Sequence, residues 1–243
     1  MTAQIGDFEK IYQMFSASIA TGLDCGKVCA PLNGGVPVCC STDNAIPIVE
    51  KTEWALLKSR SDLWGKFKAK DSVSRKIVKE LPSSTCAIEC KGSVFCERNN
   101  RSLACRSFPF FPYFTKEGKL VGLTCYWAFE DRCWVISNLR VVEKKFVDEM
   151  ISAYEYLFNK DKDYHEAYYR ESVTMRRVFS RRNQIIQLVG RDMKYLLVLP
   201  KSQGRIVPTD HKGFIPHKTF SSNTAYKEAI SLAGGDPEGH MLP

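Results

Sequence analysis

The sequence predicts an α+β protein: a cysteine-rich metal-binding unit with short helices and a β-hairpin, followed by a helical basic extension. Three observations carry this expectation. Eight of the ten cysteines lie between Cys25 and Cys105, whereas all four histidines (His165, His211, His217 and His240) come later. Apolar residues recur at helical spacing on both sides of a segment with strand character and a glycine turn. Positive charge gathers late: from Tyr164 to Phe220 there are eleven Lys/Arg against four Asp/Glu. The division is placed at residue 135, with 1–135 as the cysteine-cluster domain and 136–243 as the basic extension packed on it.

The N-terminal stretch MTAQIGDFEKIYQMFSASIA has an apolar run from Ile11 to Ala20. Asp7 and Glu9 precede it where an export signal would be cationic, so it reads as an amphipathic helix. No stretch reaches the roughly 18 apolar residues of a membrane span. The expectation is a cytoplasmic chain without a membrane partner, in a compartment that keeps thiols reduced. Pro47 to Ala69 reads as helical, with Trp54/Leu57 and Trp64/Phe67 each three apart. Ser72 to Leu81 reads as a short helix stopped by Pro82. Phe110 to Tyr126 reads as a β-hairpin turning at Glu117-Gly118-Lys119. Asn138 is the expected N-cap of a helix carrying Phe146, Val147, Met150, Ile151, Tyr154, Leu157 and Phe158. A further helix is expected over about Asp163 to Arg182, then a strand at Tyr195 to Leu199 and a loose tail from Ser231. At 243 residues, 44% of them hydrophobic, the chain can bury a core without disulfides, and neither collagen-like nor disordered classes fit.

The cysteines form two groups, Cys25-x3-Cys29-x9-Cys39-Cys40 and Cys86-x3-Cys90-x5-Cys96-x8-Cys105, with Cys125 and Cys133 apart. Neither the Cys-x2-Cys knuckles of common zinc sites nor the ferredoxin spacings occur. Single cysteines are often small buried hydrophobes, which accounts for Cys125 and Cys133. Eight clustered cysteines are explained better by metal ligation than by burial or a disulfide framework. In extended backbone, adjacent Cys39 and Cys40 would point to opposite sides, which suits two metals or a metal and a supporting partner.

Four thiolates around a divalent ion carry about −2, a charge that costs several kcal/mol to bury without positive neighbours. Lys27, Lys91, Arg98, Arg101 and Arg106 lie next to or between the cysteines. Such neighbours favour the thiolate that metals require. Phe108, Phe110 and Phe111 are expected to exclude water, and Pro109 and Pro112 to stiffen the backbone.

The early cluster ending in Cys39-Cys40, the following IPIVEKTEW and the later CERNNRSLACRSFPF resemble the YkgJ-like cysteine-cluster proteins, described as carrying a zinc- or iron-chelating domain. The resemblance covers about residues 25 to 114, and Cys105-Arg106-x-Phe108-Pro109-Phe110 is its most specific part. It implies Cys25, Cys29, Cys39, Cys40, Cys86, Cys96 and Cys105 as ligands, with Ile46-Pro47-Ile48 and Glu50 or Glu53 matching the family's strand and helix. Cys90 is added from spacing. The nine residues between Cys29 and Cys39, and the lack of a Tyr and Pro between Cys96 and Cys105, depart from the family pattern. The flagellin lysine methylase has a distantly similar pattern and uses an iron–sulfur centre.

All-sulfur ligation suits zinc and iron–sulfur clusters alike, with zinc slightly preferred at this point. Three functions remain in play: a cytosolic metal-binding protein, an iron–sulfur enzyme of methyl- or electron-transfer chemistry, and a basic nucleic-acid-binding protein with a structural metal. The last rests on Arg176-Arg177 and Arg181-Arg182, which share roughly one helical face and could meet a polyanion. His211 and His217 lie in a Gly/Pro-broken segment and read as surface residues.

Overall fold

A computed structural model describes residues 2–130, 132–214 and 228. The first helix, α1 (Ile5–Met14), buries Phe8, Ile11 and Tyr12 at the i, i+3, i+4 spacing of one helical face. It ends before the apolar run does, and Phe15 closes it. The one-turn helix α2 (Cys25–Cys29) starts at Asp24, whose carboxylate accepts from the Gly26 N–H at 3.0 Å.

Strand β1 (Ile48–Glu50), helix α3 (Lys51–Arg60) and strand β2 (Trp64–Lys66) occupy the segment expected to be one long helix. The helix stops at Ser61, in extended conformation. Helix α4 (Ser72–Glu80) lies where expected, with Asp71 accepting from the Ser74 N–H at 2.7 Å. Strand β3 (Thr85–Cys90) then pairs antiparallel with both earlier strands, in the order β1-β3-β2. Pairing of Trp64 opposite Cys90 and Lys66 opposite Ile88 outweighs the helical pattern that continued past Arg60.

Helix α5 (Leu103–Ser107) is capped by Ser102, whose hydroxyl accepts from the Cys105 N–H at 3.2 Å. The hairpin of β4 (Phe110–Phe114) and β5 (Leu120–Cys125) turns through Gly118 at φ 78°, a conformation glycine adopts without penalty. Asn138 does not cap the following long helix. Its amide donates to the Trp134 carbonyl at 2.9 Å and closes the short α6 (Trp134–Ser137) instead. Helix α7 (Lys144–Lys160) begins after Glu143, and α8 (Lys162–Arg181) after Asp161, whose carboxylate accepts from the Asp163 and Tyr164 N–H groups.

The region after residue 135 is helical only to Arg181. It then forms β6 (Ile186–Gly190), β7 (Lys194–Val198) and β8 (Ile206–Thr209), where the sequence suggested one strand. These extend the hairpin into an antiparallel sheet ordered β4-β5-β6-β7-β8. Its two parts meet at Leu123 opposite Val189. A Cβ at Gly122 would stand 2.9 Å from the Val189 carbonyl oxygen, and one at Gly190 3.0 Å from that of Val121, so close approach requires both glycines.

The alternation of β4 sorts its aromatics onto two faces. Phe110 and Phe114 join the larger core with Phe146 and Phe158 of α7, at ring separations of 5.5 and 5.2 Å. Phe111 and Tyr113 pack with Met175 and Phe179 of α8 on the other face. The larger core also takes in α1, with Phe15 against Phe146 at 5.4 Å, so it runs continuously across residue 135. Among the described residues no helix is long and apolar enough to cross a membrane. The tail from Ser231 lies outside the described residues.

Candidate metal centre

Separate segments bring cysteines to one place. Helix α2 contributes Cys25, the 3₁₀ turn Val38–Cys40 contributes Cys39 and Cys40, and the end of β3 contributes Cys90. Cys96 follows the turn Ser93–Phe95, and Cys105 sits in α5. These six line a single cavity of about 440 Å³. The tight turn holds the Cys39 and Cys40 Sγ atoms 4.0 Å apart. The vicinal pair therefore opens onto the same cavity, and the opposite-sided arrangement expected from extended backbone does not occur.

Two expected ligands lie off this wall. Cys29 is buried, its thiol 3.6 Å from the Gly26 carbonyl oxygen that accepts from it. Cys86 is opposite Val49 in the β1–β3 register, and the charges nearest its thiol are Lys66, Lys51, Glu53 and Glu50. Four steps along β3 separate Cys86 from Cys90, roughly 13 Å in extended chain, too far to share one ion. Cys125 and Cys133 are fully buried near one another, and all ten cysteines are free thiols. Among the described residues no three Cys, His, Asp or Glu side chains are close enough to hold one ion. The sulfurs thus face a common space rather than a common point.

Burial pushes the Cys25 thiol up to about 11 and the Cys105 thiol up to about 12. Cys39 is raised by its contact with Cys40 and by burial, while the same contact lowers Cys40. Arg101 opposes the rise at Cys25, Cys96 and Cys105 and favours the Cys40 thiolate. Arg98, also on the cavity wall, acts on Cys25 and Cys96.

Of the remaining cations expected to balance the thiolates, Lys27 and Arg106 also line the cavity, and Lys91 does not. Lys91 pairs with Asp62 at 2.6 Å. Arg106 is a latch: it donates to the carbonyls of Phe15, Asn99 and Arg101 at 2.6, 2.6 and 3.0 Å and lies 4.4 Å over the Tyr12 ring. Its bonds hold the Asn99–Arg101 backbone, and with it Arg101, beside the thiols. Of the three phenylalanines expected to dry the site only Phe108 lines it, because Phe110 and Phe111 are drawn into the two cores. Leu63 and Trp64 join Ile19 and Leu23 on the apolar part of the wall. Leu63 and Trp64 are placed by the β2–β3 pairing, which sequence spacing does not reveal.

Two glutamates support this framework. Glu53, 1% exposed, accepts from the Tyr12 hydroxyl and the Leu103 N–H, each at 2.6 Å. It joins α1 and α3 to the first turn of α5, and so positions Cys105. Glu50 is raised to about 7, first by burial and then by Asp161, with Glu53 and Asp163 adding to the effect. A raised carboxyl favours the protonated folded state, so its contribution is full below its unfolded value of about 4.5 and lost as pH rises through 7. Glu50→Gln is expected to unfold in urea like wild type near pH 4 but to be about 2 kcal/mol more stable at pH 8. An equal difference at both pH values would contradict this account of Glu50.

His165 packs edge-on against Phe114 and Phe158 at 4.7 and 5.7 Å. His211 sits in the turn His211–Gly213, while His217 and His240 lie outside the described residues. Arg176, Arg177 and Arg181 line a second cavity, which shares no lining residue with the first. No protein-family model matches the chain, and comparison with curated proteins and with solved structures finds no match.

Proposed function

We propose that the chain is a cytoplasmic metal-binding protein in which Cys25, Cys39, Cys40, Cys90, Cys96 and Cys105 supply thiolates to iron or zinc. The observation behind this reading is six free cysteines from separated segments on one cavity wall. Cys29 and Cys86 drop out of the proposed ligand set. The resemblance to the YkgJ-like proteins supports the same chemistry over part of the chain.

The spacing favours iron in a thiolate-held cluster over a lone zinc. A tetrahedral zinc–thiolate site has Zn–S bonds of about 2.3 Å, which sets sulfurs about 3.8 Å apart. Cys39 and Cys40 match that at 4.0 Å, but among the described residues no third ligand joins them. An iron–sulfur centre fills more of the space between sulfurs with inorganic sulfide, and when bound it would supply electron transfer or a Lewis-acidic iron. Arg98 and Arg101 would offset the cluster's negative charge, and Phe108, Leu63 and Trp64 would limit water beside it.

A second reading, an iron–sulfur enzyme, draws on the cavity's size. About 440 Å³ falls within the ~300–1,000 Å³ range of small-molecule sites. Anaerobic purification of the full chain, with elemental analysis and an optical spectrum, tests the proposal. Iron with acid-labile sulfide and broad visible absorption is the expected result. A colourless zinc protein would move the assignment to zinc, and a protein carrying neither metal after reconstitution would defeat it.

A further inference from the structure

The second cavity, about 520 Å³, lies between α8 and the β6–β8 end of the larger sheet. Its wall carries five cations: Lys116 from the β4–β5 turn, Arg176, Arg177 and Arg181 from α8, and Lys201 from the β7–β8 connection. No carboxylate lines it. Among the described residues, none of Arg176, Arg177, Arg181 and Lys201 has a carboxylate within 4.0 Å, whereas Lys116 has Glu117 at 3.7 Å. Converging cations without acidic partners repel one another, and their field concentrates anions in a concave site.

The cavity also has fixed geometry. Arg176 donates to the Phe114 carbonyl oxygen, and its guanidinium lies 5.4 Å over the Tyr113 ring. Gly204 packs against Arg176, since a Cβ there would meet the Arg176 Cδ at 3.3 Å. The Lys201 N–H donates to the Ser180 hydroxyl at 3.0 Å and ties the β7–β8 connection to α8. Arg177 and Arg181 are exposed and one helical turn apart, so both side chains are free to close on one anion. Gln184, also on the wall, has a carboxamide oxygen with no hydrogen-bond partner. A turn of that amide would present the oxygen to a ligand N–H or O–H.

We propose that this cavity binds a small phosphate ester, of the nucleoside or sugar phosphate class, with its phosphate between Arg177, Arg181 and Lys201. The cations are grouped around one concave site of about 520 Å³, and Arg182 is not among its lining residues. That arrangement favours a compact ligand over a nucleic-acid strand. The site is independent of the cysteine cavity.

The test is calorimetric titration of the full chain with AMP, glucose 6-phosphate and inorganic phosphate at physiological salt. Saturable binding of AMP or glucose 6-phosphate, tighter than inorganic phosphate, is expected, and which ester binds tighter identifies the source. The double variant Arg177→Ala/Arg181→Ala should weaken binding at least ~10-fold, since each lost charged hydrogen bond is worth about a factor of ten. Its unfolding midpoint without ligand and its metal content should match wild type. No saturable binding of either ester at about 10 mM would overturn the proposal, as would undiminished binding by the double variant. Binding of a single-stranded RNA oligonucleotide with none of the mononucleotide would assign the surface to nucleic acid and overturn it too.

Discussion

Glu53→Ala is expected to destabilise the protein by about 3–5 kcal/mol in urea unfolding, the range for breaking a buried charged hydrogen-bond network. The substitution leaves the Tyr12 hydroxyl and the Leu103 N–H without their acceptor, inside a core where water does not replace it. It also removes a carboxylate whose charge favours the neighbouring Arg106 guanidinium. Burial raises the Glu53 carboxyl, so the protonated form is tolerated and the contribution weakens as pH rises. Glu53→Gln keeps an oxygen acceptor in place and should cost far less, about 1 kcal/mol. Because Leu103 begins α5, the alanine variant should also lose metal through displacement of Cys105. A loss below about 1 kcal/mol for Glu53→Ala would show that the network is not what holds α5 against α1 and α3.

Metal loading is expected to rise steeply with pH. Each ligand must lose its proton, and burial holds Cys25 near 11 and Cys105 near 12 before metal arrives. The proton is therefore displaced by the metal across the whole neutral range. For each such thiol the apparent affinity should rise about tenfold per pH unit, so these two alone give about a hundredfold between pH 7 and 8. Cys39, Cys90 and Cys96, also raised, steepen it further. Competition against a chelator at the two pH values reads this directly. Arg101→Ala should weaken loading at pH 7 by roughly tenfold, because that guanidinium favours the thiolates of four cavity cysteines. An affinity flat in pH would mean that the buried thiols are not the ligands.

The sequence made the helices and the hairpin legible where local chemistry set them. The Phe146–Phe158 periodicity, the Ser72 to Leu81 helix and the Gly118 turn are local features, and each lies within a few residues of its expected place. What was not legible depends on pairing between distant segments. Trp64 fits a helical stripe as well as a strand, and only β3 decides between them. The three strands after α8 share that dependence, since β6 reaches the hairpin through two glycines whose role appears only when the strands meet.

The candidate site divides in the same way. Cysteine clustering pointed to one region, and six of the eight candidates line one cavity there. Linear spacing could not separate Cys86 from Cys90, because two residues on one strand face differ only by distance along the strand. Nor could it show that Cys39 and Cys40 turn together, since that follows from the 3₁₀ turn after Pro37. The three arginines all line the cavity, yet Arg106 gives its guanidinium to backbone carbonyls while Arg98 and Arg101 act on the thiols.

The most direct measurement is metal per chain in anaerobically purified Cys40→Ser and Cys105→Ser proteins, compared with Cys125→Ser. Thiolates of the cavity acting together predict that the first two lose most of their metal and the third keeps it, with all three still folded by circular dichroism. Full occupancy in both cavity variants, or equal loss in all three, would contradict a metal centre at this cavity.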